Sequence, residues 1–269
     1  MSGYRLRVVL VGWGAIATRV ADLLAQRGSA VEIAAVAVRD ASVPRKGLPE
    51  GARLIAAPED LADLKADLLV EAAGRAAVPP WAAAGLRFGW DVALSSTSAL
   101  TDAAVLAQLT ALAAQHGGQL LIPPGALGGM DALSAAARLG LTEVRHEIVK
   151  PALAWRGTAA ETLCDLAALT APFTFFEGTA RAAADAYPHN ANSAVISALA
   201  GLGLDHTTLA LTADPDARLN AHRIHAVGDF GTLTMVLENR PLATNPKSSE
   251  MTALSLLRLI ENRTSQVVI

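Results

Sequence analysis

The chain is 269 residues long, 52% of them hydrophobic, with a formal net charge of -3 at pH 7. It has enough apolar side chains to bury the core of one large domain or two modest ones. The charge argues against nucleic-acid or anionic-membrane partners, and the single cysteine excludes an intramolecular disulfide. A cytoplasmic address fits this cysteine content. No stretch approaches the roughly 18 uninterrupted apolar residues that span a bilayer, so we predict no transmembrane segment and no membrane partner.

An apolar strand followed by an amphipathic helix is predicted at the start of the chain. Residues 5–11 form a β-branched apolar run, and residues 16–24 place apolar side chains at helical spacing. Between them, Gly12 permits a tight bend, Gly14 lets the backbone approach a pyrophosphate, and Ala17 lets the helix pack on the strand. This pattern predicts a dinucleotide-binding turn, although such turns also occur without a ligand. The predicted cofactor contacts are Gly12, Gly14, Ala15, Ile16 and Ala17.

A second predicted strand, residues 31–38, ends at Arg39 and Asp40. An acid at this place binds the adenosine ribose hydroxyls, whereas an arginine favours a 2′-phosphate. Asp40 follows Gly12 by 28 positions (40 − 12), more than the usual spacing of about 20. We therefore predict that Arg39 faces the ribose, the alternative being a solvated loop, and the choice between NAD and NADP stays open.

Strands and helices alternate through the first half of the chain. Further strands are predicted at residues 67–71, 91–94 and 119–122, and helices at residues 58–64 and 101–116. The alternation predicts an α/β fold, with a doubly wound parallel sheet of Rossmann type in residues 1–122. The loops that leave the carboxyl ends of these strands are where ligands bind in such sheets.

The pattern changes after residue 122, where a segment rich in proline and glycine begins. Helices are predicted at residues 131–139, 159–169, 177–186 and 193–202, and strands at residues 143–149, 207–212, 222–227 and 232–237. This order predicts a second, α+β domain in residues 123–245 that binds substrate and forms a dimer. Residues 246–269 contain a last helix, expected to pack back on the first domain.

Five motifs, in their order and spacing, resemble the L-aspartate dehydrogenase family. They are GWGAIA, PPGALGGMDAL, YPHNANSA, NAHRIHAVGDFG and NPKSS. Ala191 stands where the family often has valine, and Ser248 where threonine is common. The resemblance implies an NAD- or NADP-dependent enzyme that oxidises L-aspartate to iminoaspartate, which hydrolyses to oxaloacetate and ammonia or feeds nicotinamide biosynthesis. It also implies an active-site histidine at His222 and cofactor contacts at Ala126 and Asn190.

The chemistry of amino-acid oxidation agrees with a histidine in this role. Removing hydride from the α-carbon requires a deprotonated amine and a group that handles protons, and histidine titrates near neutral pH. Among the six histidines, His222 is therefore the predicted acid–base residue, and His189 is a candidate for the substrate site. Two substrate carboxylates call for cations, and a solvated surface position is the alternative for each candidate. The candidate cations are Lys150, Lys247 and Arg218.

Two other functions stay open at this point. One is a two-domain dehydrogenase or reductase acting on a related amino or keto acid, since a fold alone does not fix a substrate. The other is a dinucleotide-sensing protein without catalysis. No metal motif is present in the sequence, and we predict no metal site. A homodimer is predicted through the strands at residues 208–212 and 232–237, because their apolar side chains would otherwise leave a sheet face exposed.

Overall fold

The structure is a computed structural model that describes residues 5–188 and 191–269, except for the side chains of Pro246 and Lys247. The chain divides into two compact units. Unit 1 contains Met1–Pro123 and Thr252–Ile269, and unit 2 contains Pro124–Met251. Within residues 5–188 and 191–269, no helix is long and apolar enough to cross a membrane.

Unit 1 contains a six-stranded parallel sheet. Its strands are β1 (Leu6–Val11), β2 (Val31–Ala37), β3 (Arg53–Ile55), β4 (Leu68–Glu71), β5 (Asp91–Leu94) and β6 (Leu120–Leu121). They lie in the order β3-β2-β1-β4-β5-β6. The direction of winding reverses between β1 and β4, so the sheet is doubly wound. The predicted Rossmann-type fold is confirmed.

The chain has α-helices in both units. They are α1 (Ala15–Arg27), α2 (Val78–Arg87), α3 (Ala103–His116), α4 (Met130–Ala136), α5 (Ala180–Ala186), α6 (Ala191–Ala200) and α7 (Glu250–Asn262). The buried residues of α7, among them Leu256 and Ile260, share one core cluster with Leu6 and Val8 of β1. The residues of α7 from Thr252 onward therefore complete the core of unit 1.

Unit 2 contains a five-stranded mixed sheet. Its strands are β7 (Leu141–Pro151), β8 (Phe173–Thr179), β9 (Thr208–Asp214), β10 (Asn220–Gly228) and β11 (Gly231–Asn239), in the order β11-β10-β7-β9-β8. Strands β7 and β9 run parallel, and the other neighbours are antiparallel. A short hairpin, β12 (Pro241–Leu242) and β13 (Asn245–Ser249), precedes α7. The prediction of a second, α+β domain is confirmed.

One face of the unit 2 sheet is apolar and covered by helices. Ile148 of β7 lies beside Leu211 of β9, and both belong to a buried cluster with Ala183 of α5 and Ala194 of α6. On β10 the residue opposite Ile148 is His222. Because directly opposite residues point to the same face, His222 lies on the side of the sheet that the helices cover.

The other face of this sheet carries charges. Arg145 forms an ion pair with Glu177 at 2.6 Å, and Arg223 forms one with Glu147 at 3.1 Å. The strands of the predicted dimer, at residues 208–212 and 232–237, contribute to neither of these ion pairs. Val236, in the second of these segments, is 60% exposed. The homodimer stays a prediction.

Several local predictions differ from the structure. Residues 159–169 were expected to be helical, but only a single 3-10 turn forms, at Ala159–Thr162. Residues 177–186 begin in strand β8, and the helix starts only at Ala180, where the hydroxyl of Thr179 accepts from the N–H of Ala182 at 3.1 Å. A threonine that caps a helix marks its first turn. Helix α2 is absent from the prediction, although two prolines are tolerated in the first turn of a helix.

Candidate active site

The turn between β1 and α1 requires glycine at its first position. Gly12 has φ +98°, and a Cβ there would lie 2.8 Å from the carbonyl oxygen of Ala72 and 2.9 Å from the Cα of Ala73. Gly14 caps α1 with φ -92°, and a Cβ there would meet nothing within 4 Å. The backbone at the start of α1 is therefore open to a ligand, and the first N–H groups of a helix are suited to phosphate oxygens.

A cavity of about 780 Å³ lies at the carboxyl ends of the unit 1 strands. Gly12, Gly14 and Arg39 all line it, as does Arg45, which the sequence analysis did not identify. The predicted contacts Ala15 and Ile16 are half-buried in the first turn of α1. Ala17 is only 2% exposed and packs in the core, as expected for the small third residue of such a turn.

The acid at the end of β2, Asp40, is already hydrogen-bonded within its own loop. The carboxylate of Asp40 accepts from the N–H of Ser42 at 2.9 Å and from its Oγ at 2.6 Å, and these hydrogen bonds lower the pKa of Asp40. Arg39 and Arg45 line this side of the cavity, and Nη2 of Arg45 donates to the backbone carbonyl of Asp40 at 3.4 Å. The end of β2 thus presents two cations beside an acid that is already bound within its own loop.

A buried carboxylate joins the loops that follow β4 and β5. Glu71 is fully buried, and its oxygens accept from the N–H groups of Ala73 and Gly74, each at 2.8 Å, and from the N–H and Oγ of Ser96 at 3.0 and 2.9 Å. Burial raises the pKa of Glu71, and the hydrogen bonds oppose that change. In the sequence, Glu71 stands out only as the acid that ends the apolar strand DLLVE. Its role is to fix the loop that forms one wall of the cavity.

In unit 2, His222 belongs to a buried chain of hydrogen bonds. Its Nδ1 lies 3.0 Å from Nε2 of His146 on β7, and Nδ1 of His146 lies 2.8 Å from Oγ of Ser197 on α6. Ser197 also donates to the carbonyl of Ala194 at 3.1 Å. His222 is 6% exposed, and the side chains of His146 and Ser197 are completely buried. Neither His146 nor Ser197 lies in one of the sequence motifs, so neither is a predicted site residue.

Burial keeps both histidines neutral at pH 7. It lowers the pKa of His222 to about 4, helped by the nearby positive charge of Lys150. The pKa of His146 falls well below its usual value, first through burial and then through the charge that His222 can carry. A neutral imidazole is a proton acceptor, so the site offers a base at physiological pH.

Lys150 supplies a cation on the same face of the sheet. It follows Ile148, the register partner of His222, by two residues along β7, and alternate residues of a strand share a face. Burial lowers the pKa of Lys150 to about 8. At pH 7 the amine is therefore still mainly charged and is close enough to His222 to influence its titration.

Comparison with known proteins identifies the family to which both parts of the chain are similar. Residues 131–263 match a family model described as aspartate dehydrogenase, C-terminal, and residues 12–123 match one described as homoserine dehydrogenase, NAD binding domain. The chain is 59% identical to an L-aspartate dehydrogenase of Brucella anthropi, over 97% of this chain and 98% of that protein. The chain belongs to the aspartate dehydrogenase family. The resemblance predicted from the motifs is confirmed.

Other aspartate dehydrogenases match with similar coverage. The L-aspartate dehydrogenase of Pseudomonas aeruginosa is 40% identical over 98% of this chain and 100% of that protein. The crystal structure of aspartate dehydrogenase from Thermotoga maritima has a TM-score of 0.78 and 22% identity, covering 99% of this chain and all of that one. The structural match supports the fold, and the sequence matches support the family.

The structure describes some of the other predicted site residues of this aspartate dehydrogenase family member and not others. The carbonyl of Ala126 accepts from Nδ2 of Asn239 at 2.8 Å, and Asn239 lies opposite Asn220, two residues before His222 on β10. Ala126 is thus anchored at the His222 end of that strand. Arg218 is exposed in the loop before β10. Two candidates, His189 and Asn190, lie outside the described residues, and so does the side chain of Lys247.

Proposed function

We propose that this chain catalyses the NAD- or NADP-dependent oxidative deamination of L-aspartate to iminoaspartate, which hydrolyses to oxaloacetate and ammonia. The observation that carries the proposal is the pairing of a neutral histidine, His222, with a buried cation, Lys150, on one face of the unit 2 sheet. Such a pair suits a substrate that must lose a proton and that carries carboxylates. Membership of the aspartate dehydrogenase family supports the choice of aspartate.

The turn at Gly12 and Gly14 fits a dinucleotide. The open space beside Gly14 leaves room for the pyrophosphate, with the N–H groups of Ala15 and Ile16 at the helix start as its donors. Arg39, together with Arg45, takes the adenosine end, and Ala126 and Asn190 are the proposed further cofactor contacts. When bound, the nicotinamide ring accepts the hydride that leaves the α-carbon of aspartate.

His222 manages the protons of the reaction. Its Nε2 accepts a proton from the α-ammonium group, which leaves a neutral amine whose lone pair forms the C=N bond as the hydride departs. After that proton has passed from Nε2 to solvent, His222 accepts a proton from the water that attacks the carbon of the C=N bond and returns one to the departing ammonia. These roles need a group that is neutral at rest, as burial makes His222.

Lys150 binds one carboxylate of the substrate. Its amine lies in a largely buried position where an anion stabilises the charged form. Once a carboxylate pairs with Lys150, the positive charge that helps lower the pKa of His222 is offset, and His222 becomes a stronger base when the substrate is present. His189 and Lys247 are the further proposed substrate contacts.

An amino-acid panel tests the proposal. The purified protein is mixed with NAD or NADP and single amino acids, and reduced dinucleotide is followed by its near-ultraviolet absorbance. We expect turnover with L-aspartate and, in the reverse direction, with oxaloacetate plus ammonia. Preference for another amino acid would redirect the assignment to a related dehydrogenase, and binding of dinucleotide without turnover of any amino acid would favour a sensor.

We also propose a homodimer in the cytoplasm, where iminoaspartate is available to nicotinamide biosynthesis. Strand β11 lies at the edge of the unit 2 sheet, and its Val236 is 60% exposed. An edge strand of nine residues offers backbone groups that a second copy can pair with. Light scattering that finds only monomer at micromolar concentration would count against the dimer.

A further inference from the structure

The hydrogen bonds around His146 have a direction that the donors and acceptors determine. A backbone carbonyl can only accept, so the hydroxyl proton of Ser197 points to the oxygen of Ala194, 3.1 Å away. The oxygen of Ser197 must then accept the proton of Nδ1–H of His146 across 2.8 Å. In the reverse arrangement, two oxygens 3.1 Å apart would face each other without a proton between them.

The tautomer of His146 determines the tautomer of His222. His146 is neutral in its buried position, so its one proton is on Nδ1 and its Nε2 carries a lone pair. That nitrogen lies 3.0 Å from Nδ1 of His222 and accepts its proton. His222 is therefore held with Nδ1 protonated and Nε2 unprotonated.

We propose that His146, held by Ser197, is a positioning residue that fixes the tautomer and ring orientation of His222 and so reserves Nε2 of His222 for the proton of the substrate. This inference rests on the proposed function, in which Nε2 is the atom that accepts the proton. It deepens that function by assigning a role to two residues that lie outside the family motifs.

The chain of bonds orients His222 and does not conduct protons. It ends at the carbonyl of Ala194, inside helix α6, which accepts a hydrogen bond and takes up no proton at neutral pH. A proton received at Nε2 of His222 must leave by the same nitrogen. When His222 is protonated, its Nδ1–H bond to the neutral His146 becomes charge-assisted, which stabilises the imidazolium.

The neutral partner also distinguishes this site from a histidine held by a carboxylate. A carboxylate would raise the pKa of the histidine through its negative charge, whereas His146 fixes the ring without adding a charge. The charged group that faces His222 from β7 is Lys150, and the residue opposite His222 on β11 is Leu237. The orientation of His222 is thus set by hydrogen bonds, and its basicity responds to the charge of the substrate.

Nitrogen-15 spectra of the imidazoles test the tautomer directly in the resting, full-length protein. We expect His222 to be protonated at Nδ1 in the wild type and to become a mixture of tautomers in His146→Phe and Ser197→Ala. Wild-type His222 protonated at Nε2 would overturn the proposal. This readout needs no substrate, so it remains decisive if aspartate turns out not to be the substrate, and Ser197→Ala serves if His146→Phe does not fold.

Kinetics separate positioning from a merely structural role. We expect His146→Phe to lower kcat toward the loss that removing His222 causes, about 10²- to 10⁴-fold for a general acid–base group, with the Kd of the dinucleotide unchanged. In a His222→Ala background, the same substitution should cause no further loss of kcat. His225→Phe, on the opposite face of β10, is the matched control. Independent, multiplying losses from His146→Phe and His222→Ala would contradict the proposal.

Discussion

The amine of Lys150 lies 4.7 Å from the centre of the indole ring of Trp155, whose Nε1–H donates to the carbonyl of Thr212 at 3.0 Å. Trp155 is fully buried, so this ring cannot move away without breaking the core. A cation over an aromatic face gains about 0.5 to 2 kcal/mol, which offsets part of the desolvation that lowers the pKa of Lys150 to about 8. The ring thus fixes a charged amine that loses its charge slightly above neutral pH.

A dicarboxylate inhibitor such as succinate should therefore bind less tightly as the pH rises through about 8, because the free enzyme then loses the charge of Lys150. We expect Lys150→Met to weaken the inhibition constant of succinate about 10- to 100-fold, in line with the roughly 1.5 to 3 kcal/mol of a charged hydrogen bond. The variant should also lose the pH dependence above pH 7. Lys65→Met, at an exposed position of unit 1, is the control. An unchanged inhibition constant in Lys150→Met would show that Lys150 does not bind a substrate carboxylate.

Replacing His222 should affect chemistry far more than cofactor binding. We expect His222→Ala to lower kcat with aspartate by about 10²- to 10⁴-fold, the usual contribution of a general acid–base group, while the Kd of the dinucleotide stays near the wild-type value. His225→Ala removes an imidazole three positions along the same strand, where it points to the opposite face, and should leave kcat intact. Near-normal turnover in His222→Ala would show that His222 is not the base, and Lys150 would be the next candidate.

Two glycine substitutions in one turn should have different effects. Gly12→Ala places a Cβ 2.8 Å from the carbonyl oxygen of Ala72 at a φ of +98°, so we expect a lower melting temperature as well as weaker dinucleotide binding. Gly14→Ala has open space and an ordinary φ of -92°, so the protein should fold normally while the new methyl group weakens the binding of the pyrophosphate. Calorimetry and cofactor titration compare the two variants. Full cofactor affinity in Gly14→Ala would show that the turn is only structural.

The end of β2 should favour a 2′-phosphate. Asp40 already accepts two hydrogen bonds from Ser42, whereas Arg39 lines the cavity. We expect Arg39→Ala to weaken NADP binding about 10- to 100-fold, from the roughly 1.5 to 3 kcal/mol of a charged hydrogen bond, and to change NAD binding little. Arg53→Ala, an exposed neighbour on β3, is the control. Equal losses for both cofactors would place Arg39 away from the ribose.

Acid should destabilise the protein through its buried histidines. An unfolded histidine binds a proton near pH 6.5, whereas His222 in the folded protein binds one only near pH 4. The unfolded chain therefore holds more protons between these values, and stability falls as the pH falls from about 6.5 to 4. His222 alone accounts for a loss on the order of 2 kcal/mol between pH 7 and pH 5, and His146 adds to it in the same direction.

Urea unfolding at pH 7 and pH 5 measures this effect. The loss should be smaller in His222→Gln than in the wild type, and His116→Gln, which changes an exposed histidine, should keep the full loss. A free energy of unfolding that does not change between the two pH values would contradict the neutral state of the buried pair.

The sequence predicts features that depend on neighbouring residues and misses those that join distant ones. The turn at Gly12 and Gly14 follows from the strand and helix on either side of it. The contacts of His146 bridge 51 residues to Ser197 and 76 residues to His222, and no local pattern signals such pairs. The helix predicted at residues 159–169 does not form. Its Leu166 packs in the core cluster of unit 2, a tertiary contact that the helical propensity of the segment does not reveal.

The return of α7 has a consequence for the order in which the protein is made. Unit 1 begins at the N-terminus, yet its core includes Leu256 and Ile260, and Glu261 binds Arg27 at 2.7 Å and Ser29 at 2.6 Å. A ribosome must therefore synthesise the whole of unit 2 before the residues that complete unit 1 emerge. During translation the first strands remain without part of their apolar cover, and a nascent chain halted before Thr252 carries an unfinished nucleotide-binding unit.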